Sequence, residues 1–234
     1  ELERSQRIHI RLFESIRQIS MRLSAYLKHF IAIWLGLCVV GVLHAQTRPI
    51  EEGFDYKTLP VTQAIEAKGK VEVVEFFWYG CPHCHDFEPD LSAWIKRQGK
   101  DVVVRKIPVA FRDDLLIHSQ LYYALESLGK HEMHAKVMNA IHLEKRRLLN
   151  ETEITDWVAS QGVDRQAFTG AFRSFTVISK ARAANQIAQA YRIDGVPTVG
   201  VQGKYMTSPS IAGGSKTRAL DVMDFLVAKV RKER

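Results

Sequence analysis

Two cysteines separated by two residues follow closely on an apolar run, and this junction restricts the folds open to the chain. The run covers residues 71–77, and its β-branched and aromatic side chains predict a buried strand. Cys81 and Cys84 come next, with Pro82 between them at the position where proline suits the first turn of a helix. The sequence therefore predicts a strand that leads into a helix carrying two thiols at its start.

The spacing of the two cysteines puts both sulfur atoms on one face of a helical turn, close enough to form a disulfide. Cys81 would lie where free backbone N–H groups and the positive end of the helix dipole favour a thiolate. His83 adds a donor, and a positive charge when protonated, and such surroundings lower the pKa of a thiol. The pattern predicts a redox pair in which Cys81 is the nucleophile and Cys84 the resolving thiol.

The same stretch, continued to His85, also has the Cys-x-x-Cys-His spacing by which c-type haem is attached. Three observations count against haem. The motif follows a β-like run, Pro82 lies between the cysteines, and the sequence places no obvious second axial ligand. We therefore predict that the chain binds no haem.

Zinc is a further alternative for this motif, with Cys81, Cys84 and one of two histidines, His83 or His85, as ligands. A structural zinc site usually has four ligands, commonly in two separated pairs, and the chain contains no second cysteine pair. We predict no metal site. Three other histidines fall in a region with helical periodicity and are interpreted as surface residues with structural roles: His131, His134 and His142.

The third cysteine, Cys38, lies within an apolar run of 14 residues that extends from Phe30 to Leu43. A membrane-spanning helix needs about 20 such residues. Basic residues after Met21 and a small residue, Ala45, at its end make the segment typical of a cleaved signal peptide. We predict an upstream extension at 1–20 and a signal peptide at 21–45, with a retained membrane anchor as the alternative.

Removal of residues 1–45 would leave 27 basic and 23 acidic side chains, a net charge of only +4. Nucleic-acid binding usually requires a clustered basic face, which this mild excess does not indicate. The remaining length suits one domain with a sizeable core. We therefore predict a protein without a nucleic-acid partner.

Beyond the cysteines the apolar periodicity alternates between strand and helix. It predicts a helix to residue 98, a strand over 101–107, helical segments over 113–178, a helix over 179–191, two strands from 195 and a last helix over 215–232. This order is the layout of an α/β thioredoxin fold, with a thioredoxin-like domain at 46–112 and 179–234 and an inserted helical subdomain, here called the helical insertion, at 113–178. Pro197 opens one predicted strand, where either a trans or a cis bond would fit.

Over nearly all of residues 50–234 the chain resembles the DsbA family of bacterial disulfide oxidases. The resemblance rests on three motifs, Glu75-Phe-Phe-x-Tyr-x-Cys-Pro-His-Cys84, Gly195-Val-Pro-Thr198 and Gly203-Lys-Tyr-x-x-Ser-Pro209. The Cys-Pro-His-Cys string sets this family apart from thioredoxin-like reductases, whose intervening pair is typically Gly-Pro.

The resemblance implies roles for four further residues. Pro197 would be cis and face the disulfide, and Val196 would offer backbone groups to an extended substrate. Glu75 matches the buried acid beneath the family's active site, and Lys106 its basic neighbour. A buried acid near a thiol has a raised pKa and can exchange protons with Cys84. A partly exposed edge residue is the alternative for Glu75.

The resemblance also implies what the protein does. It would be a periplasmic monomer that donates its disulfide to reduced, unfolded exported proteins and is reoxidised by a DsbB-like, quinone-linked membrane partner. A disulfide isomerase, which normally needs a dimerisation region, and a non-catalytic thioredoxin-like chaperone remain as alternatives. Stabilisation of the Cys81 thiolate also stabilises the reduced protein, so we predict that the reduced form resists denaturant better than the oxidised form.

Overall fold

The computed structural model describes residues 48–233. The predicted upstream extension at 1–20 and signal peptide at 21–45 lie outside the described residues. Within residues 48–233, none of the helices combines the length and the apolarity required to cross a membrane.

A five-stranded mixed sheet forms the centre of the fold. The strand with the two cysteines at its end pairs with one parallel and one antiparallel neighbour, and all seven of its residues are buried. A central strand covered on both faces has a continuous apolar sequence, as residues 71–77 do. The strands, in the sheet order β1-β5-β4-β2-β3, are β1 (Lys57–Thr58), β2 (Val71–Phe77), β3 (Val102–Pro108), β4 (Thr198–Val201) and β5 (Tyr205–Thr207).

Helices connect and cover these strands. Four of them, together with a short 3-10 turn at Asp113–Leu115, lie between β3 and the long helix that leads to β4. The helices are α1 (Pro82–Lys96), α2 (Leu116–Ser127), α3 (Met133–His142), α4 (Glu151–Ser160), α5 (Arg165–Phe172), α6 (Phe175–Ala190) and α7 (Lys216–Lys232).

The side chains of β2 contribute to two apolar cores. Val71 and Val73 belong to the core shared with α1 and α7, in which Trp94 is fully buried. Phe76 and Phe77 belong to the core shared with α2–α6. Strand β2, which leads to the cysteines, is therefore held in place by packing in both apolar cores.

The long helix α6 begins earlier than the sequence predicts. Ser174 is its N-cap and accepts a hydrogen bond from the backbone N–H of Val177, so the predicted end of the helical insertion at 178 falls inside this helix. Phe175 follows Phe168 and Phe172 at helical spacing, yet its side chain is 85% exposed because α5 ends at Phe172 and a new helix starts. Strand β1 was not predicted, since its two exposed polar residues carry no apolar pattern.

Candidate active site

The two cysteines differ in their access to solvent. Cys81 is the N-cap of α1, with extended backbone angles, and Pro82 occupies the first helical turn. The backbone N–H groups of Cys84 and His85 both donate to the Cys81 carbonyl at 3.1 Å. Both thiols are free, and Cys81 retains 8% exposure whereas Cys84 is completely buried. A partner can therefore reach the sulfur of Cys81 first.

The surroundings of Cys81 favour its thiolate. The pKa of Cys81 is lowered to about 6, chiefly by a hydrogen bond from the Cys84 thiol and against the opposing effect of burial. Backbone N–H groups of Cys84 and His83 contribute, and so does the charge of His83. Burial, together with the neighbouring Cys81, raises the pKa of Cys84. At neutral pH the site thus holds a Cys81 thiolate and a Cys84 thiol. The charge of His83 is a minor cause of the lowered Cys81 pKa.

Beneath the cysteines lies a buried ion-pair network. The parallel register of β2 and β3 places Glu75 opposite Lys106, and the Lys106 ammonium bonds the Glu75 carboxylate and also Glu88 Oε2, the latter at 2.7 Å. Burial raises the pKa of Glu75 despite the nearby Lys106 charge, and one oxygen, Oε1, has no hydrogen-bond partner. Glu75 in turn raises the pKa of Cys84, so the network acts electrostatically on the resolving thiol.

Glu88 was missed in the sequence, although its position gave a signal. It lies four residues after Cys84, on the face of α1 that is buried. Burial opposes its ionisation, but a hydrogen bond from His134 and the Lys106 charge lower the pKa of Glu88 to about 2. Because a buried acid with two basic partners remains charged, Glu88 supplies a permanent negative charge beside Lys106.

The interpretation of His134 as a surface residue is wrong. Its Nε2 lies 3.2 Å from Glu88 Oε2, and its Nδ1 lies 3.2 Å from the Tyr79 hydroxyl. The residue is buried because α3 packs its apolar face, which includes the adjacent Met133, towards α1. Of the other two histidines, His131 is exposed.

His142 is partly buried. It donates to the Tyr79 carbonyl at 2.8 Å and stacks on His85 with ring centroids 4.8 Å apart. His85 itself donates to Asn139 Oδ1 at 3.0 Å. No group of three or more His, Cys, Asp or Glu side chains within residues 48–233 is arranged to hold a metal ion.

A groove lies beside Cys81, the less buried of the two thiols. The Val196–Pro197 peptide bond is cis, as the resemblance implied, and the Cys81 sulfur lies 3.4 Å from the Val196 carbonyl oxygen, to which it donates when protonated. Pro197 and Val196 line a cavity of about 560 Å³, and His83 also lines it. The structure therefore brings these predicted residues together around Cys81, while Glu75 and Lys106 lie below. Charged residues of the cavity wall are Lys57, Asp86, Asp194 and Lys216.

A tryptophan that the sequence analysis did not single out shapes the turn before Cys81. The Trp78 indole N–H donates to His118 Nδ1 at 3.0 Å, and His118 Nε2 donates to the Leu148 carbonyl at 3.1 Å. Since indole only donates and a carbonyl only accepts, His118 is the neutral Nε2–H tautomer, and burial lowers its pKa. A side chain at Gly80 would overlap the Trp78 ring, so glycine is required there unless that ring moves.

Comparison with known proteins places this site in a family. A family model described as a DSBA-like thioredoxin domain matches residues 113–220. The thiol:disulfide interchange protein DsbA of Burkholderia cepacia is 44% identical over 202 residues, which cover 86% of this chain and 94% of that protein. The chain belongs to the DsbA family.

Solved structures of DsbA proteins agree with this assignment. The crystal structure of Pseudomonas aeruginosa DsbA superposes with a TM-score of 0.75 and 36% identity, covering 78% of this chain and 95% of that one. The Neisseria meningitidis oxidoreductase NmDsbA1 gives a TM-score of 0.71 at 28% identity, with 81% and 98% covered. The predicted thioredoxin fold and the predicted membership of the DsbA family are both confirmed, and the protein is a thiol:disulfide oxidoreductase.

The reduced form of this DsbA-family protein should gain stability relative to the oxidised form as the pH rises from 5 to 8. The folded pKa of Cys81, about 6, is below the ordinary value of 9.0, so the gain is absent below pH 6 and grows above it. At pH 7 it amounts to about 1 kcal/mol. Guanidinium unfolding of both forms across this range measures it. The disulfide form is the control because its Cys81 cannot titrate, and a constant difference would contradict the prediction.

Proposed function

We propose that the protein oxidises reduced, unfolded exported proteins by donating its Cys81–Cys84 disulfide. The observation that carries the proposal is the asymmetry of the pair, in which the partly exposed cysteine has the low pKa and the buried one the high pKa. An attacking thiolate can reach only Cys81, and Cys81 later becomes a good leaving group because a thiol of lower pKa leaves faster.

The reaction proceeds through a mixed disulfide. A substrate thiolate attacks the Cys81 sulfur, the Cys81–Cys84 bond breaks, and its electron pair leaves on Cys84, which then takes up a proton. A second substrate thiolate attacks the substrate sulfur of the mixed disulfide and expels the Cys81 thiolate. The substrate loses two electrons to the enzyme, which ends as a Cys81 thiolate and a Cys84 thiol.

The proton for Cys84 comes from Glu75 in this proposal. Its raised pKa keeps Glu75 protonated and therefore a proton donor, and once Glu75 is ionised its charge raises the pKa of Cys84. Lys106 holds the resulting carboxylate in place through its ion pair. The separation of roles follows from position, since Cys81 contacts Val196 in the groove wall, whereas Cys84 is completely buried where the charge of Glu75 can act on it.

Substrate binding is assigned to the groove beside Cys81. The Val196 carbonyl lies beside the reactive sulfur, where the backbone of an extended substrate can align with it. Pro197 forms one part of the wall and His83 another. A groove in which the Val196 backbone carbonyl lies beside the reactive sulfur suits unfolded chains of varied sequence, because backbone hydrogen bonds do not depend on side chains.

The cellular setting follows from the same proposal. An oxidase that gives up its disulfide must recover it, and family membership supports a DsbB-like, quinone-linked membrane partner. The predicted signal peptide at 21–45 supports export to the periplasm, where disulfides persist. We assign the working form as a monomer.

Two measurements on the purified protein test this function. In a series of glutathione buffers the Cys81–Cys84 pair should remain reduced until the buffer is strongly oxidising. With glutathione disulfide present, catalytic amounts should accelerate oxidation of a reduced, unfolded two-cysteine protein. A pair that stays oxidised under reducing conditions would indicate a reductase. Binding of the unfolded protein without net oxidation would instead indicate an isomerase or a chaperone.

A further inference from the structure

Four titratable side chains meet beneath the cysteines and form what we call the buried charge cluster: Glu75, Glu88, Lys106 and His134. Lys106 can neutralise only one of the two carboxylates. Glu88 is held ionised, so Glu75 must either carry a proton or be balanced by a protonated His134. Since an unbalanced buried charge is costly, the cluster requires one proton that can reside at either of two positions.

The two positions have different access to water. A cavity of about 450 Å³ is lined by His134, Glu88, Lys106 and Tyr79. Glu75 and Cys84 are not among its lining residues, and both are completely buried. Water in this cavity can therefore exchange a proton with the imidazole at one end of the cluster, whereas the carboxyl group beneath the thiol has no such contact.

His134 is connected to the rest of the cluster by direct contacts. Its Nε2 donates to Glu88 Oε2, and the same oxygen accepts from the Lys106 ammonium, which also bonds Glu75. The charge of His134 acts on Glu75 and lowers the pKa of that carboxyl group. A proton gained at the imidazole thus favours a proton lost at Glu75.

We propose that His134 is a positioning residue that takes a proton from water in the cavity when Glu75 gives its proton to Cys84. This inference rests on the proposed function, because it concerns the same reduction step. Before the step Glu75 is neutral, Glu88 negative, Lys106 positive and His134 neutral. After it Glu75 is negative and His134 positive, so the cluster stays neutral while the electron pair of the broken S–S bond and the Glu75 proton both go to Cys84.

The opposite transfer accompanies reoxidation. Cys84 returns its proton to Glu75, and His134 releases one to the cavity water. Titratable and charged groups face His134 from every element around it, and the pH profile will include their charges. They are Glu75 in β2, Tyr79 before α1, Glu88 in α1, Arg105 and Lys106 in β3, Tyr122 and Glu126 in α2, and Lys130, His131 and Glu132 before α3.

The test measures how fast the oxidised protein is reduced by a dithiol peptide between pH 5 and 8, with the rate divided by the fraction of peptide thiolate. In the unsubstituted protein this corrected rate should rise as the pH falls, because His134 takes up a proton in the same step in which Glu75 gives its proton to Cys84. His134→Gln keeps an N–H donor towards Glu88 but cannot take up a proton. At pH 5 the corrected rate of His134→Gln should be about tenfold below that of the unsubstituted protein, which is a modest share of what positioned proton transfer contributes. The corrected rate of this variant should not change with pH.

The matched control is His131→Gln, which changes a histidine that lines the same cavity but is exposed. Its profile should equal that of the unsubstituted protein. His134→Asn, which retains a polar group towards Tyr79, is the second variant if His134→Gln does not fold. The absorbance of the Cys81 thiolate should give the same pKa in all folded variants, because none of these substitutions touches Cys81.

The outcomes separate the two proposals. A sloping profile in both His134 variants would overturn the inference. Glu75→Gln should slow the step and remove the slope even where His134 is intact, and an unchanged Glu75→Gln profile would refute the role of Glu75 and with it that of His134. A protein that oxidises no substrate at any pH would instead refute the proposed function.

Discussion

Cys84→Ala should abolish turnover and leave Cys81 joined to substrate as a mixed disulfide. The residual rate should be below about one-thousandth of the unsubstituted value, as expected when a group that bonds to the reacting atoms is removed. The variant cannot hold a disulfide to donate, although its remaining thiol is the one beside the groove. Cys81 of the variant is first converted to a mixed disulfide by glutathione disulfide, and a client with one free thiol then attacks the Cys81 sulfur and expels glutathione. Non-reducing electrophoresis measures the trapped species, and sustained oxidation of a two-cysteine client by this variant would contradict the mechanism.

The same variant should also raise the pKa of Cys81 from about 6, because the Cys84 thiol supplies the largest effect that lowers it. Cys84→Ser is the matched control. It retains an O–H donor at the same position, so the pKa of Cys81 should be closer to the unsubstituted value in Cys84→Ser than in Cys84→Ala. If both variants give the same pKa, backbone N–H groups and His83 determine the thiolate instead.

Cys81→Ala should leave a thiol that reacts slowly with alkylating reagents. The remaining Cys84 is completely buried and its pKa is raised, so iodoacetamide can reach it only after local opening of the structure. At pH 7 we expect alkylation to be at least about a hundredfold slower than that of Cys81 in Cys84→Ala. A thiolate of low pKa is intrinsically less nucleophilic, but this difference is smaller than the effect of burial.

Lys106→Met should reduce the free energy of unfolding by about 3 kcal/mol or more at pH 7, the usual effect of removing one partner of a buried ion pair. It leaves the carboxyl groups of Glu75 and Glu88 buried together without a cation between them. Their pKa values would rise, so the loss should be smallest near pH 4, where both can protonate, and should increase as the pH rises. Urea unfolding at several pH values measures this dependence.

Two controls define the cause of that loss. Lys100→Met removes an exposed lysine just before β3 and should change stability by no more than about 0.5 kcal/mol. The double variant Glu75→Gln and Lys106→Met should lose less than the sum of the single losses, because the pair interacts directly. Additive losses, or a loss independent of pH, would show that Lys106 contributes by packing alone.

The part of the site that could be predicted from the sequence is the part that is local. A strand, a proline and two cysteines in one turn occupy neighbouring positions, so the geometry of Cys81 and Cys84 follows from helix dimensions. The pairing of Glu75 with Lys106 is different, because it depends on the register of two parallel strands. That pairing was inferred from the family resemblance, since spacing alone does not determine a register.

The residues that were missed are those whose role depends on contacts between distant segments. His134 looks like a surface histidine on an amphipathic helix, and only the packing of α3 on α1 buries it against Glu88. Trp78 likewise gains its role from His118, which lies 40 positions along the chain. Such contacts are set by the arrangement of whole helices, and a local pattern of apolar residues does not encode them.

The contact between Cys81 and Val196 joins positions 115 residues apart, and this separation affects how the protein is made. Synthesis proceeds from the amino terminus at about 5–20 residues per second, so both thiols are present well before the segment that faces them. An incomplete chain that stops before β4 contains the reactive pair and all of α1, but has no complete groove in which to align a client. Reactivity therefore precedes selectivity during biosynthesis, and only the finished chain can restrict which thiols it meets.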